Sequence, residues 1–306
     1  MERGELFLEQ ERMTAIPSAT IGSIGGSGTW GARFPEDVSD TRVLEYVDPI
    51  ETPFGISCGF KVLEVAGERV LRCAMHGWHR DEQGKPVPTW TSSLQIAWVF
   101  QQAGVQWALV DGSVGGIQSP DETGAPLAPW SVVITDDFIQ YWLPPQAGTL
   151  RDRSQPFPRL REPFCAGLRR HLAAAAARQE RFRVYDRGTY VCTPTGRFET
   201  PAEIRMMASW GAHIVGQTLG HEAPLMRQIG VHLGSLNIVS NFAEGNTSWV
   251  GDDKPEDMAQ FYRECPPPVA TTLLEAMTSA IENGIGDCAC TEYSLTGMQA
   301  FPVDGA

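Results

Sequence analysis

The sequence predicts a single-domain α/β fold of three layers, in which a central mixed, largely parallel sheet is flanked by helices. Short apolar segments rich in β-branched residues alternate along the chain with segments whose apolar residues recur at helical spacing. Such alternation is typical of a sheet with helices on both faces. Because neither an internal repeat nor a linker interrupts the 306 residues, we expect one domain over residues 19–306, preceded by an N-terminal extension over residues 1–18.

The individual elements follow from local patterns. The predicted strands share short apolar or alternating runs bounded by turn residues, and they cover residues 19–24, 42–47, 60–65, 69–75, 106–110, 132–135, 188–193, 213–217 and 233–240. The predicted helices share apolar residues three or four positions apart, and they cover residues 93–104, 168–181, 201–210, 223–229 and 269–283. Residues 144–163, rich in proline and arginine, predict a long loop. Ligands of such sheets bind beyond the carboxyl ends of strands, so the segments that follow the strands are the candidate site.

Composition and charge limit the partners. The chain carries 24 Lys and Arg against 37 Asp and Glu, a net charge of −13, with 42% hydrophobic residues. Nucleic acids and anionic membranes need clustered basic residues, so neither is an expected partner, whereas a small anion held by a few local donors is compatible. No apolar run approaches the roughly 20 residues of a membrane helix. The acidic start is not typical of a secretory signal, and we expect a cytoplasmic protein.

The seven cysteines are an odd number spread along a long chain, which favours reduced thiols over a disulfide framework. Cys288 and Cys290 form a close pair near the C-terminus. The spacing favours two small residues in a loop, with a strained disulfide or a metal corner as the less favoured alternatives. His221 and Glu222 are adjacent, but no second histidine follows at helical spacing. We therefore expect neither a metal nor a cofactor.

A glycine-rich segment follows the first predicted strand. Gly26-Ser-Gly-Thr-Trp-Gly31 satisfies the G-x-G-x-x-G pattern of dinucleotide-binding loops. That interpretation needs a helix starting at the loop, whereas Pro35 and a poor helix sequence follow here. The alternatives are an anion cradle, made by backbone N–H groups and the hydroxyl of Ser27, and a tight turn without a ligand.

Six segments in order resemble the 5′-methylthioadenosine and 5′-methylthioinosine phosphorylases of the trimeric purine nucleoside phosphorylase family. The most similar is Tyr190-Val-Cys-Thr-Pro-Thr-Gly-Arg-Phe-Glu-Thr-Pro-Ala-Glu203, and the others are residues 21–28, 46–55, 74–77, 113–117 and 210–222. The resemblance implies phosphorolysis of the N-glycosidic bond of a purine nucleoside. It also implies inorganic phosphate as co-substrate, no cofactor, and a homotrimer or a hexamer built from two trimers.

The resemblance also assigns site residues. It implies phosphate contacts at Ser27, His76, Ser113 and Thr218, a base stacked on Phe198 and read by Glu199 and Asn241, and a ribose over Gln217, where relatives carry a methionine. It implies catalytic roles for Asn241 and His76. These assignments cover residues 27, 76, 113, 198, 199, 217, 218 and 241.

The types of the two base-reading residues can also be argued from hydrogen bonding. An ionised Glu199 only accepts hydrogen bonds, so it suits the N1–H of a 6-oxopurine and disfavours the N1 lone pair of adenine. Asn241 can donate to O6 and accept from N7–H, which stabilises charge on the departing base. The competing interpretation is that Glu199 caps the helix starting near Pro201 and that Asn241 is a turn residue.

The chain departs from the family at the phosphate site. Relatives carry an arginine directly before the position of His76 and another two residues after it, whereas this chain has Met75 and Trp78 there. A thioether and an indole cannot replace a guanidinium, and they predict an apolar corner. Arg80 is the nearby cation that can substitute. Three hypotheses stay open: a weak phosphorylase that uses Arg80, a hydrolase or transferase with another nucleophile, and a binding protein for flat aromatic ligands. A dehydrogenase ranks below them.

The 5′ end of the nucleoside has no histidine to read a hydroxyl group, because all six histidines lie at or before residue 232. We therefore expect an apolar 5′ pocket and a 5′-substituted nucleoside, such as a 5′-methylthio compound. Met258 and Phe261 are the candidates for its wall, with core packing as the alternative role. The aromatic residues 138–142 suit either a subunit interface or a core strand.

Overall fold

A sheet of eleven strands forms the centre of the protein, as seen in a computed structural model that describes residues 15–77, 79–144, 148–150, 157–246 and 255–290. The strands are β1 Ile21–Gly25, β2 Arg42–Val47, β3 Glu51–Thr52, β4 Gly55–Ile56, β5 Phe60–Val65, β6 Glu68–Ala74, β7 Trp107–Gly116, β8 Ser131–Ile134, β9 Asp137–Gln140, β10 Arg183–Tyr185, β11 Thr189–Cys192, β12 Ile214–Gly216 and β13 His232–Phe242. The main path runs β10-β8-β13-β7-β1-β6-β5-β2. Strands β9, β11 and β12 branch from β7, and β3 pairs only with β4.

The middle of the sheet is parallel and its margins are mixed. Strands β13, β7, β1 and β6 run parallel, whereas β5 and β2 on one side and β8 on the other pair in antiparallel register. The helices are α1 Thr89–Ala103, α2 Ala166–Ala176, α3 Pro201–Ser209, α4 Leu219–Gln228, α5 Pro255–Glu264 and α6 Pro266–Asn283. This arrangement confirms the predicted α/β fold class.

Helices cover both faces of the sheet, and alternation along the strands decides which core a side chain joins. In β7, Ala108 and Val110 join the core beneath α1 and α4, whereas Leu109 between them joins the core beneath α2 and α6. The central strands are buried on both faces, as parallel strands usually are. Apolar packing therefore fixes where each central strand ends, and with it the edge that carries the ligand cavity.

Several predicted boundaries were wrong, and the errors have identifiable causes. The segment after residue 110 was predicted as a loop, but β7 continues to Gly116, where the absence of a side chain leaves room for the carbonyl of Leu127. Helix α1 begins four residues early, at Thr89, and Asn241 lies within β13 instead of after it. Helix α5 was not predicted at all. Its apolar residues are too few to stand out from a charged background.

The N-terminal extension lies largely outside the described residues, and its boundary at residue 18 stays a prediction. The aromatic residues 138–142 are partly packed in the protein and partly exposed, and the predicted interface role stays a prediction. Phe138 packs against the core and Trp142 donates to the carbonyl of Cys192, whereas Tyr141 is exposed beside Trp210. Among the described residues, no helix combines the length and the apolar character needed to cross a membrane.

Helix α3 begins with a complete capping box, which makes its start a local test of the fold. The hydroxyl of Thr200 accepts from the backbone N of Glu203, whose carboxylate accepts from the backbone N of Thr200 at 2.7 Å. We expect Thr200→Ala to lower the free energy of unfolding by about 1 kcal/mol, because the cap hydrogen bond is lost. Urea titration followed by circular dichroism measures it. Thr200→Ser keeps the hydroxyl and serves as the control; equal losses in both variants would contradict the assigned cap.

Candidate active site

A cavity of about 800 Å³ opens at the carboxyl ends of the central strands. It is bounded by the turn after β1, the second half of β7, the loop before α3, the start of α4 and the end of β13. The cavity brings together eight of the residues that the sequence predicts for the site: Ser27, His76, Ser113, Phe198, Glu199, Gln217, Thr218 and Asn241. These residues come from six separate segments of the chain, so the grouping was not visible in any local pattern.

Hydroxyl groups crowd one corner of the cavity. The Oγ atoms of Ser27 and Ser113 lie 2.5 Å apart, and the Ser113 hydroxyl also bonds the Tyr262 hydroxyl at 2.9 Å. Thr218 precedes α4, and its own hydroxyl makes no capping bond. Its backbone N donates to the Tyr190 hydroxyl at 3.1 Å. The corner therefore offers several hydroxyls beside the first turn of a helix, a combination suited to a small anion. The sequence did not predict Tyr262, because α5 was missed.

Behind this corner, His76 forms a buried ion pair. Its Nε2 and a carboxylate oxygen of Glu222 share a hydrogen bond, and both side chains are buried. Burial by itself would lower the pKa of His76, but the adjacent Glu222 carboxylate raises it above the usual value. The second carboxylate oxygen of Glu222 has no hydrogen-bond partner within the described part of the chain. A protonated His76 ring would therefore be neutralised by this buried acid.

A second buried pair lies beneath the glycine loop. The Arg72 guanidinium donates to the hydroxyls of Ser23 at 2.6 Å and Thr29 at 2.9 Å, and it lies 3.8 Å from the Asp111 carboxylate. Burial raises the pKa of Asp111 to about 6, although Arg72 and His76 act in the opposite direction. Arg72 does not line the cavity. It is a structural cation below the loop.

The glycine-rich loop, residues 26–31, does not have the conformation that a dinucleotide-binding site requires. A 3₁₀ turn, Ser27–Thr29, follows β1 where a dinucleotide loop would open a helix. A Cβ on Gly26 would lie 2.0 Å from the Asp111 carbonyl oxygen, and one on Gly25 would lie 2.6 Å from the Arg72 guanidinium. The glycines are therefore required by close packing over the buried pair.

The structure corrects the predicted charge of the phosphate corner. Arg80 is exposed and does not line the cavity; its guanidinium donates only weakly to the carbonyl of His79, at 3.4 Å. Met75 is 2% exposed and packs in the core, so it does not make the corner apolar. Trp78 lies outside the described residues. Of the described residues that line the cavity, Arg197 is the one Arg or Lys, and it is exposed and paired with Glu203 at 2.7 Å.

Glu199 and Gln217 also line the cavity. Glu199 accepts from the Thr193 hydroxyl through Oε1 at 2.5 Å, and no described hydrogen bond reaches Oε2. Thr200, not Glu199, caps α3, which removes the competing interpretation of Glu199. The Gln217 amide donates to the carbonyl of Arg197 at 3.0 Å. Phe198 is 60% exposed, so one face of its ring is available to a ligand.

Asn241 lies in a strand and not in the turn of the competing interpretation. The pairing of β13 with β7 shifts register between Val239 and Asn241, and such irregularities redirect side chains. The Asn241 Oδ1 accepts from the Ser240 hydroxyl at 2.8 Å, and its Nδ2 donates to the carbonyl of Phe242 at 2.9 Å. These bonds fix the amide with one donor and one acceptor direction left for a ligand.

Met258 and Phe261 do not line this cavity, which corrects the predicted wall of the 5′ pocket. Both face a separate, smaller cavity, and the Phe261 ring packs 5.1 Å from the Trp130 ring. Tyr262, the next residue of α5, faces the large cavity instead and stacks on Trp30 with the ring centres 6.3 Å apart. One residue along a helix is a rotation of about 100°, which is why Tyr262 faces the large cavity and Phe261 does not.

The pair of His76 and Glu222 predicts a pH-dependent effect. We expect Glu222→Gln to lower the pKa of His76, because burial then acts without the opposing carboxylate. In the parent protein the raised pKa stabilises the fold below the ordinary value of about 6.5, and this contribution is lost as the pH rises through the folded pKa. Glu222→Gln removes that pH dependence.

The measurement is an NMR titration of the histidine rings, combined with unfolding at several pH values. His79 is the internal control, because burial lowers its pKa and the charged group that acts on it is Asp81, not Glu222. An unchanged His76 titration in Glu222→Gln would contradict the coupling.

Comparison with known proteins agrees with this geometry. The sequence profile of the phosphorylase superfamily matches residues 20–275. The protein named "Probable S-methyl-5′-thioinosine phosphorylase" of Methanothermobacter thermautotrophicus is 30% identical over 223 residues, covering 73% of this chain and 71% of the relative. The S-methyl-5′-thioadenosine phosphorylase of Pyrococcus horikoshii is 27% identical over 244 residues, covering 79% and 84%.

Solved structures show the same fold. A methylthioadenosine phosphorylase from an antarctic soil metagenomic library superimposes with a TM-score of 0.70 at 21% identity, over 90% of this chain and 91% of that one. A methylthioadenosine phosphorylase from Schistosoma mansoni gives a TM-score of 0.71 at 19% identity, over 93% and 100%. The resemblance inferred from the six segments is confirmed: the chain belongs to the phosphorylase superfamily and resembles its purine nucleoside and methylthioadenosine phosphorylases.

Proposed function

We propose that this protein cleaves the N-glycosidic bond of a purine nucleoside with inorganic phosphate, releasing the free base and a ribose-1-phosphate derivative. The proposed substrate has a 6-oxopurine base and a 5′ substituent such as a methylthio group. One observation carries the proposal: a single cavity is lined both by Glu199 and Asn241 and by the hydroxyl-bearing residues Ser27, Ser113 and Thr218. Relatives named as methylthioinosine, 6-oxopurine nucleoside and methylthioadenosine phosphorylases support it.

The base end suits a purine that leaves with charge on its ring. Phosphate attacks C1′, the bond from C1′ to the purine nitrogen breaks, and its electron pair moves into the base. Asn241 donates to O6 and accepts from a protonated N7, which stabilises that charge. The Glu199 Oε2 accepts from N1–H, while Oε1 stays on Thr193. Adenine presents a lone pair at N1, so the same carboxylate disfavours it.

The phosphate end supplies dipoles more than net charge. The hydroxyls of Ser27, Ser113 and Thr218 and the first turn of α4 can donate to phosphate oxygens. His76 contributes an imidazole whose positive charge is shared with Glu222. Charge-assisted bidentate bonds from arginine are the stronger kind, and none of the described lining residues offers them here. We therefore expect phosphate to bind weakly, with a high KM.

The 5′ end of the nucleoside has an aromatic wall in this proposal. Trp30 and Tyr262 take the place that the sequence analysis gave to Met258 and Phe261. A methylthio group can pack on an indole face, since sulfur and aromatic rings attract each other. His76 is the one histidine among the described lining residues, and it is engaged by Glu222 at the phosphate end.

A second function is a binding protein for purines or other flat aromatic ligands. One observation favours it: both cations nearest the phosphate corner, Arg72 and His76, are already paired with buried carboxylates. The trimeric assembly and the cytoplasmic location that the sequence analysis anticipates stay predictions. Exposed Tyr141 and Trp210 are candidates for such an interface.

The proposed reaction depends on inorganic phosphate, which can be tested directly. We expect the protein to release hypoxanthine from 5′-methylthioinosine only when phosphate is present, with a rate that keeps rising at millimolar phosphate. Chromatography of the free base at several phosphate concentrations measures it. Release without phosphate would indicate a hydrolase instead, and saturable base binding without release would indicate the binding protein. Inosine is the matched substrate, and a much higher kcat/KM for inosine would contradict the 5′ substituent.

The proposed role of Glu199 in selecting the base can be tested by substitution. We expect Glu199→Gln to lower the ratio of kcat/KM for 5′-methylthioinosine over 5′-methylthioadenosine by roughly 10- to 100-fold, since a hydrogen bond to a charged group contributes about 1.5–3 kcal/mol. Steady-state kinetics with both nucleosides give the ratio. Glu203→Gln is the control, because glutamine also completes a capping box and Glu203 does not line the cavity. An unchanged ratio in Glu199→Gln would rule out base reading by this carboxylate.

A further inference from the structure

Four potential metal ligands meet at a place remote from the large cavity. The side-chain ligand atoms of Cys165, His232, Cys288 and Cys290 all lie within 4.8 Å of one another. The Cys288 Sγ lies 3.2 Å from the His232 Nδ1. Cys165 and Cys290 are buried, and the other two are half-buried. All seven cysteines are free thiols.

The donor set and its size fit a tetrahedral zinc ion. Zinc binds cysteine sulfur at about 2.3 Å and histidine nitrogen at about 2.0–2.1 Å, so neighbouring ligand atoms lie roughly 3.5–3.8 Å apart. The observed cluster needs only a small contraction to reach that geometry. Three cysteines and one histidine are an established structural set for zinc, and four protein ligands leave no open position for substrate.

Charge gives an independent argument. Arg227 is buried, and its guanidinium donates to the carbonyls of Cys290 and Glu162. Within the described residues no carboxylate lies within 4 Å of it, and its Nε has no partner. Three thiolates and one zinc ion carry a net charge of −1, which would compensate this guanidinium. A buried cation without a counter-charge is otherwise strongly unfavourable.

The cluster joins segments that are far apart in the sequence. Cys165 directly precedes α2, His232 is the first residue of β13, and the two remaining cysteines follow α6. The backbone N of Cys165 donates to the carbonyl of Leu233 at 2.8 Å, so the first two ligands are already held together. A zinc ion would attach the chain after α6 to this pair. The sequence analysis favoured a loop without a metal at Cys288 and Cys290, because only these two of the four potential ligands are close to each other in the sequence.

We propose that Cys165, His232, Cys288 and Cys290 bind one structural zinc ion that fixes the segment after α6 to the start of α2 and β13. The site is independent of the proposed phosphorolysis. Tag-free protein, purified with a reductant and with zinc in the growth medium, should contain one zinc ion per chain by mass spectrometry of the metals. Cobalt in its place should give the visible absorption of tetrahedral thiolate coordination.

Variants separate this site from adventitious binding. A chelator that removes zinc should lower the melting temperature of the parent protein. Cys288→Ser should contain no zinc, and the chelator should change its melting temperature little. Cys58→Ser changes a half-buried cysteine outside the cluster, so it should keep both the zinc and the response to the chelator. The metal content of the parent protein decides the matter even if Cys288→Ser folds poorly. Absence of zinc from the reduced parent protein, equal zinc in both variants, or a disulfide among the cluster cysteines of the reduced protein would each overturn the proposal.

Discussion

The buried guanidinium of Arg72 is the constraint on which the ligand edge of the sheet depends. Arg72 lies on β6, bonds Ser23 on β1 and faces Asp111 on β7, so it connects three adjacent strands. It also lies 3.7 Å below the ring of Phe34. A charge buried in this way persists only when its neighbours satisfy it, which fixes the strands in register and forces glycine into the loop that passes over them.

The same constraint shapes the electrostatics of the cavity. Each cation behind the phosphate corner is matched by a buried acid: Arg72 by Asp111 and His76 by Glu222. The backbone N–H groups and the hydroxyl groups of the loop therefore lie above two buried ion pairs that carry almost no net charge. Under the proposed function, a phosphate dianion would be held there by hydroxyl groups and by the first turn of α4, not by a guanidinium. Such a pocket would differ from one that binds phosphate through arginine.

The sequence was sufficient for the fold class, and it named eight residues that line one cavity, whose roles there stay predictions. Strands with strong apolar patterns were predicted within a few residues, and the resemblance assigned Glu199 and Asn241, which tertiary structure then brings to one cavity. Arg80 failed because sequence proximity does not say where a side chain points. Phe261 failed because neighbouring residues on a helix face different cavities. The thiol cluster was half visible, since only two of its four members are close in sequence.

Helix α6 links the thiol cluster to the glycine loop. Its 18 residues span about 27 Å at 1.5 Å per residue. Near its start, Val269 packs beneath Gly28, and the Cys265 thiol contacts the carbonyl of Gly28 at 3.7 Å. After its end, the chain reaches the cluster. The loop that carries Ser27 therefore rests directly on the buried pair of Arg72 and Asp111 and on the first turns of α6. The thiol cluster lies beyond the opposite end of the same helix, so the two buried clusters are connected through α6 but are chemically separate.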